Sequence, residues 1–423
     1  MSAKRRGVEF SVLVVQKYGG TSVGSTERIR VVANRVQRVV SEGHHCVVVV
    51  SAMGHSTDAL VDLANELVPR ADLREMDSLL STGEQVSASL LAMRLIHLGC
   101  PAKSLTGWQA GIETEAVHGN ARIAAIETAT LRSLIDKGIV PIVTGFQGIA
   151  DGEITTLGRG GSDTSAVALA AALSADVCEI YTDVDGVYTT DPRVVKTARK
   201  LDRVSYDEML ELANLGAQVL HPRAVENAKH FAVPLVVRSS FTEEEGTKVV
   251  AMTENRMEER HVVTGIAFER QVARIAVIGV PLEQHGLASV FSELAEHGVN
   301  VDVIVQSVVG EATVDVSFTV NEPDVERAVD IVQGLKSKLG FARVESESNL
   351  AKVSIVGAGM ISNPGVAAQM FVTLRDANIF VQMVSTSEIK VSCVIPAGAV
   401  EAAVQALHHT FVDANSEVAV SAN

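Results

Sequence analysis

Residues 273–279 read Ala-Arg-Ile-Ala-Val-Ile-Gly and residues 351–357 read Ala-Lys-Val-Ser-Ile-Val-Gly, so the C-terminal part of this chain repeats itself. Gly286, with a helical pattern behind it, answers Gly365 with its own at nearly the same offset. Each copy runs strand, glycine turn, helix, strand, strand, helix, a βαββαβ unit of ~70 residues. A terminal strand at about 417–420 would complete the second copy. Two copies are too few for a solenoid, which leaves a packed pair.

The preceding part obeys a different rhythm. Short apolar or β-branched runs at 12–15, 47–50, 139–143 and 179–182 are flanked by long helical patterns. That alternation predicts an α/β domain, a mainly parallel sheet sandwiched by helices. Residues 162–175 are Ala-rich and apolar nearly all round, which predicts a buried helix. Between 242 and 260 the chain turns polar, and the run Glu243-Glu244-Glu245 reads as solvated linker. The expected layout is therefore 1–250 for the α/β domain, 251–261 for a linker, and 262–345 and 346–423 for the two repeat units.

Composition narrows the partners. With 423 residues the chain has room for two to four domains, and 47% apolar against 21% charged residues is ordinary for a folded protein. Lys plus Arg is 36 against 51 for Asp plus Glu, a net charge of −15 that argues against nucleic acid and anionic membranes as partners. An anionic ligand must be gripped by local cations or backbone N–H groups. Cys46, Cys100, Cys178 and Cys393 are far apart, at no metal-ligand spacing, and read as core residues of a reducing compartment. The longest uncharged apolar stretch is far short of the ~18 residues a membrane span needs. Lys4-Arg5-Arg6 opens no signal peptide, because Glu9 and Lys17 interrupt the apolar segment behind it. The reading is a cytoplasmic protein.

Three glycine- or Asp-rich elements carry the chemistry. Gln16-Lys17-Tyr18-Gly19-Gly20-Thr21-Ser22 follows the first strand and precedes a helix opening near Ser25. Adjacent glycines let N–H groups approach an anion, and Lys17 adds a full charge, so this is a phosphate cradle, with an ordinary strand-to-helix turn as the alternative. Thr156-Leu157-Gly158-Arg159-Gly160-Gly161-Ser162-Asp163 enters the Ala-rich helix, leaving space around Arg159 for a carboxylate. Asp163 there is either functional or a plain N-cap. The stretch from Tyr181-Thr182-Asp183 through Tyr188 to Asp191-Pro192-Arg193 gathers polar groups at a strand's carboxyl end, where open α/β sheets bind ligands. The dinucleotide-like segment 355–362 has Ser362 for its third glycine and belongs to the repeat, and His408-His409 reads as a solvated helix end.

These elements, together with Val50-Ser51-Ala52-Met53-Gly54, Leu80-Ser81-Thr82-Gly83-Glu84 and Val384-Ser385-Thr386-Ser387-Glu388-Ile389, resemble the aspartate kinases of the amino-acid kinase family. The paired C-terminal units look like that family's ACT domains, which are ferredoxin-like. The match spans nearly the whole chain in order. It implies an ATP:L-aspartate 4-phosphotransferase in which Lys17, Gly19 and Gly20 hold the transferring phosphoryl group and Asp163 orients Lys17. Ser51, Thr57, Glu84, Arg159 and Ser162 would hold aspartate, with Glu84 on its amino group and Arg159 on its α-carboxylate. Thr182, Asp183, Tyr188, Arg193 and the position of Gln218 would hold ATP, arriving with its own Mg²⁺. No protein-held metal and no tightly bound organic cofactor is implied. The family often has Lys where this chain has Gln218, so Mg²⁺ or a nearby cation such as Arg223 must supply that charge, or turnover is lower.

For the regulatory units the resemblance implies an amino-acid effector, lysine or threonine, held by Gly286, Asn300, Asp302, Gln306, Ser385, Thr386 and Glu388. It also implies a homo-oligomer assembled through the ACT units and a place at the start of lysine, threonine and methionine synthesis. The loop Pro281-Leu282-Glu283-Gln284-His285-Gly286 lacks the family's usual Asp, which predicts a weaker response unless Glu283 replaces it. Met252 and Met257 offer an internal start for a shorter regulatory subunit, or are plain linker residues. The competing readings are a kinase of another small amino acid and a non-catalytic ACT sensor.

Overall fold

The computed structural model describes residues 11–215, 219–251, 262–282, 286–309 and 312–414. The chain forms two compact units. The first comprises the chain up to Val187, Lys200–Ala213 and the segment to 251. The second comprises Tyr188–Arg199, Asn214 and Leu215, and the chain from 262 onward.

The first unit is built on an eight-stranded sheet, ordered in space Arg203–Ser205, Thr247–Val250, Leu235–Ser239, Val177–Thr182, Leu13–Tyr18, His45–Val50, Val140–Thr144 and Ala102–Leu105. All neighbours are parallel except Leu235–Ser239 with Thr247–Val250. Val47 through Val50 and Val140 through Thr144 are buried without interruption, because a parallel sheet covered on both faces has no wet side. Helices Thr26–Ser41 and Thr82–His97 lay Ile29, Val32, Val36, Leu91 and Leu95 on Val48, Val50 and Ile142. Helix Gly161–Leu173 packs on Leu13–Tyr18 and His45–Val50, buried along nearly its whole length as its composition predicts. A small four-stranded sheet, Ile123–Ile126, Ile112–Thr114, Gln147–Ala150 and Glu153–Thr156, forms a ledge whose last strand leads into the Arg159 loop. The strand before the first glycine motif extends to Tyr18, so Lys17 projects from the sheet itself rather than from the turn. All four cysteines are buried and free. Among the described residues no helix is long and apolar enough to cross a membrane.

The run at 243–245 is more than solvated linker. Glu243 bridges Arg35, buried over the Tyr181 ring, and Arg38, while Glu244 meets Lys200.

The second unit is a six-stranded antiparallel sheet in the order Ile304–Val309, Thr313–Asn321, Gly265–Pro281, Arg343–Val356, Lys390–Pro396, Met383–Thr386. The repeat is visible in its cores. Ala273, Ile275 and Val277 pack on Val290 and Leu294, and Ala351, Val353 and Ile355 pack on Met370 and Leu374. The second copy takes its closing strand from outside itself, whereas the first closes with its own. Residues 265–269 pair with 352–356 and fill the fourth-strand place of the second copy, while 343–347 pair with 274–278 and fill that of the first. The expected strand at 417–420 lies outside the described residues, and the place beside 352–356 belongs to a segment that precedes both repeats.

His408 corrects the reading of a solvated helix end. It is fully buried, with Nε2 2.9 Å from Thr189 Oγ1 and Nδ1 3.3 Å from Asp413, while its neighbour His409 is exposed. Thr189 belongs to the Tyr188–Arg199 segment, which places Val195 in the core of the second repeat and accepts the Ile266 N–H at Thr189 O. Burial lowers the His408 pKa, with Asp413 opposing and Arg199 and His409 assisting. A folded-state pKa below the unfolded value of ~6.5 means that the unfolded chain takes up the proton first as pH falls. His408 therefore contributes its full stability above about pH 6.5 and loses it progressively below. Urea unfolding at pH 7.5 and 5.5 should show a larger acid loss in wild type than in His408→Gln; equal losses refute the assignment.

Candidate active site

A cleft of about 660 Å³ opens in the first unit at the carboxyl ends of Leu13–Tyr18 and His45–Val50. It is lined by eight of the residues singled out from sequence: Lys17, Gly20, Ser51, Thr57, Glu84, Arg159, Ser162 and Asp163. Lys17 Nζ stands 2.6 Å from Asp163 Oδ1, both side chains only 12% exposed. Asp163 lies in the first turn of Gly161–Leu173, whose N-cap position is Gly160, so it faces Lys17 rather than capping the helix.

Glycine is needed at two points around this pair. A Cβ on Gly20 would lie 3.0 Å from Ala52 O and 3.1 Å from Gly54 O, because the first turn is pressed against the 51–54 loop and Gly54 N–H donates to Gly20 O. Gly160 has φ +69°, and a Cβ there would fall 2.0 Å from Cγ of His221. Gly19, beside the cleft, donates its N–H to Tyr181 O, and Lys17 Nζ hangs over its Cα face.

Glu84 is 3% exposed, in the first turn of Thr82–His97. It accepts from Ala52 N–H at 3.2 Å and from Gln147 Nε2 at 3.4 Å. Burial pushes its pKa up to about 7 despite those donors, so near neutrality Glu84 is a mixture of acid and carboxylate. Arg159 is exposed to the cleft on its glycine loop. Ser162 is buried against Gly145. Among the described residues lining the cleft, Lys17 and Arg159 are the cations, facing Asp58, Asp77, Glu84 and Asp163.

The remaining predicted residues distribute differently. Thr182 and Asp183 stand at the end of Val177–Thr182, beside the first strand, with Thr182 Oγ1 donating to Asp183. Tyr188 and Arg193 belong to the second unit. Gln218 lies outside the described residues, as do Glu283, Met252 and Met257. Arg223 is not available to replace a nucleotide-binding lysine: its guanidinium donates to Leu157 O at 2.6 Å, Ala121 O at 2.9 Å and Asn120 Oδ1 at 3.1 Å. Of the regulatory residues, Gly286 opens helix Gly286–Glu296, and Asn300 and Asp302 precede the edge strand that carries Gln306. Ser385 and Thr386 lie on the opposite edge strand, with Glu388 just beyond. The inner ends of these edges meet in a cluster of Val272, Val303, Leu350, Met383 and Val394. Asp302 pairs there with buried Lys352, which also holds Glu269 at 2.7 Å.

Sequence reasoning missed Asp77. It sits between Leu73 and Leu80 on the inner face of helix Leu73–Leu80, is fully buried, and lines the cleft. An acidic residue in an apolar stripe was the available signal.

The sequence model of the amino acid kinase family matches residues 12–239, and models of the ACT domain match 283–336 and 353–411. An aspartokinase of Geobacillus stearothermophilus is 57% identical over 96% of this chain and 99% of its own length, and aspartokinase 2 of Bacillus subtilis 56% over 94% and 97%. The crystal structure of Escherichia coli aspartokinase III in complex with aspartate and ADP superposes with a TM-score of 0.79 at 28% identity, covering 94% of this chain and 99% of that one. The same enzyme in complex with lysine and aspartate gives 0.72 at 29%, covering 95% and 99%. The chain belongs to the amino acid kinase family and, within it, to the aspartokinases with two C-terminal ACT domains.

Proposed function

We propose that this chain transfers the γ-phosphoryl group of Mg-ATP to the β-carboxylate of L-aspartate, releasing ADP and 4-phospho-L-aspartate. The observation that carries the reading is the Lys17–Asp163 pair in one cleft with buried Glu84 and exposed Arg159. Arg159 takes the α-carboxylate as a fork and Glu84 takes the ammonium, which leaves the β-carboxylate directed at Lys17. A β-carboxylate oxygen attacks the γ-phosphorus as the bond to the ADP oxygen breaks. The substrate is its own nucleophile, so catalysis is positioning and neutralisation of charge by Lys17 and the Gly20 N–H, while Gly19, its own N–H held by Tyr181 O, leaves room for the phosphoryl group to approach. Ser51, Thr57 and Ser162 line the aspartate side, and Thr182, Asp183, Tyr188, Arg193 and Gln218 serve the nucleotide. The Escherichia coli relative's complex with aspartate and ADP supports both substrates.

The product enters lysine, threonine and methionine synthesis, with feedback through the ACT units. Gly286, Asn300, Asp302, Gln306, Ser385, Thr386 and Glu388 form the effector seam, and the relative's lysine complex supports a lysine-type effector. Among the described residues the strands Ile304–Val309 and Met383–Thr386 form the two edges of the sheet, where a second copy could add a strand, in keeping with a homo-oligomer. Titration calorimetry with lysine and threonine, alone and together, identifies the effector.

The test is aspartate-dependent ADP release with hydroxylamine trapping of the acyl phosphate. Arg159→Ala should raise the aspartate KM by about 10- to 100-fold with little change in the ATP KM, as expected for a charged fork bound alike in ground and transition states. Absence of aspartate-dependent turnover in wild type refutes the function.

A further inference from the structure

We propose that Asp77 is a positioning residue for the aspartate site, acting through Thr156 and the turn at His118–Gly119 to fix where Arg159 meets the substrate; the inference rests on the function proposed above. Asp77 has no exposed surface, yet its carboxylate accepts from Thr156 Oγ1 at 2.5 Å and from Gly119 N–H at 3.0 and 3.1 Å, with His118 Nδ1 at 2.9 Å. Burying a carboxylate is costly unless it is hydrogen-bonded this fully, and leucine would pack the same helix face without that cost. The polar choice joins three separate pieces of chain: helix Leu73–Leu80, the 118–121 turn, and the end of strand Glu153–Thr156.

These three pieces lead directly to the substrate arginine. Ala121 N–H donates to Thr156 O, so the turn is laced to the strand end twice. Gly158, at φ +73°, is pressed so closely on this turn that a Cβ would lie 2.9 Å from Asn120 Oδ1 and 3.2 Å from Gly119 O. From the other side Arg223 holds Leu157 O and Asn120. Residues 156–158 are thus clamped between an acid and a base, and Arg159 is the next residue. A bidentate carboxylate contact tolerates little misplacement, so loosening the clamp is felt where the α-carboxylate binds. Among the described residues no hydrogen bond or ion pair joins Lys17 or Asp163 to Asp77 or Arg223, which separates this effect from phosphoryl transfer.

The experiment is steady-state kinetics on the full chain with Asp77→Asn, Thr156→Val and Thr156→Ser, alongside urea unfolding of each preparation. Asp77→Asn and Thr156→Val should each raise the aspartate KM by about tenfold or more, with the ATP KM within about twofold of wild type. Thr156→Ser keeps the hydroxyl and should recover most of the wild-type KM. A purely structural role would instead move the unfolding midpoint without separating the two KM values. If Asp77→Asn does not fold, the Thr156 pair decides. An unchanged aspartate KM in a folded Thr156→Val, or a parallel rise in both KM values, overturns the proposal. Loss of aspartate turnover in wild type overturns the function and this inference together, whereas intact wild-type turnover with unaltered variants overturns the inference alone.

Discussion

Lys17→Ala is expected to lower kcat by about 10²- to 10³-fold while changing the aspartate KM far less. The cleft lining explains the size of the effect. Two cations face four acidic side chains among the described lining residues, so the site is unfavourable for a triphosphate except where Lys17 and Gly20 stand. Lys17 projects from a sheet strand with Nζ held at 2.6 Å by Asp163, which fixes its position before substrate arrives. Preorganised charge of this kind acts where charge shifts during transfer, and its loss is felt in turnover. Removing Lys17 also leaves Asp163 nearly buried without its partner, so the variant's unfolding midpoint must be measured beside its kinetics. Wild-type-like kcat in a folded Lys17→Ala would remove the chemical basis of the proposed function.

The parts of this molecule that sequence made legible are those whose causes are local. The runs at 47–50 and 139–143 declare their strands by unbroken β-branched and apolar residues, because both faces of those strands are covered. The glycine turns at 19–20 and 158–161 declare themselves because backbone crowding there excludes a Cβ, as at Gly20 and Gly160. The repeat declares itself because Ala273, Ile275 and Val277 and their counterparts Ala351, Val353 and Ile355 face equivalent cores. The features that stayed hidden depend on partners distant in the chain. His408 looks solvated until Thr189 meets it, 219 residues away, and Arg223 looks free until Leu157 O claims it. That residues 265–269 close the second copy is invisible to periodicity, since they alternate in the same way whichever copy they complete.

The acid limb of the aspartate profile should depend on one carboxyl group. Glu84 has a pKa raised to about 7 by burial, and the proposed role requires its carboxylate, because only that form pairs with the substrate ammonium. Below about pH 7 Glu84 is mostly protonated, so an incoming aspartate must displace a proton before it binds. The apparent kcat/KM for aspartate, with Mg-ATP saturating, should therefore fall by about tenfold per pH unit on the acid side and level off above about 7.5. Aspartate's own carboxyl groups titrate at about 4 or below, well under this window. In Glu84→Gln the limb should vanish, and the aspartate KM should rise by about 10²-fold, the loss of a buried charge partner for the ammonium. Linkage gives an independent check with opposite sign to His408. A carboxyl whose folded pKa lies above its unfolded value of ~4.3 stabilises the fold at low pH and loses that contribution as pH rises through the folded value. Glu84→Gln should therefore gain stability relative to wild type between about pH 5 and 8, because the neutral amide keeps the Ala52 N–H bonded without a charge to bury. A pH-independent aspartate kcat/KM in wild type between 6 and 8, or an acid limb that survives in Glu84→Gln, would show that the ammonium is held elsewhere in the cleft.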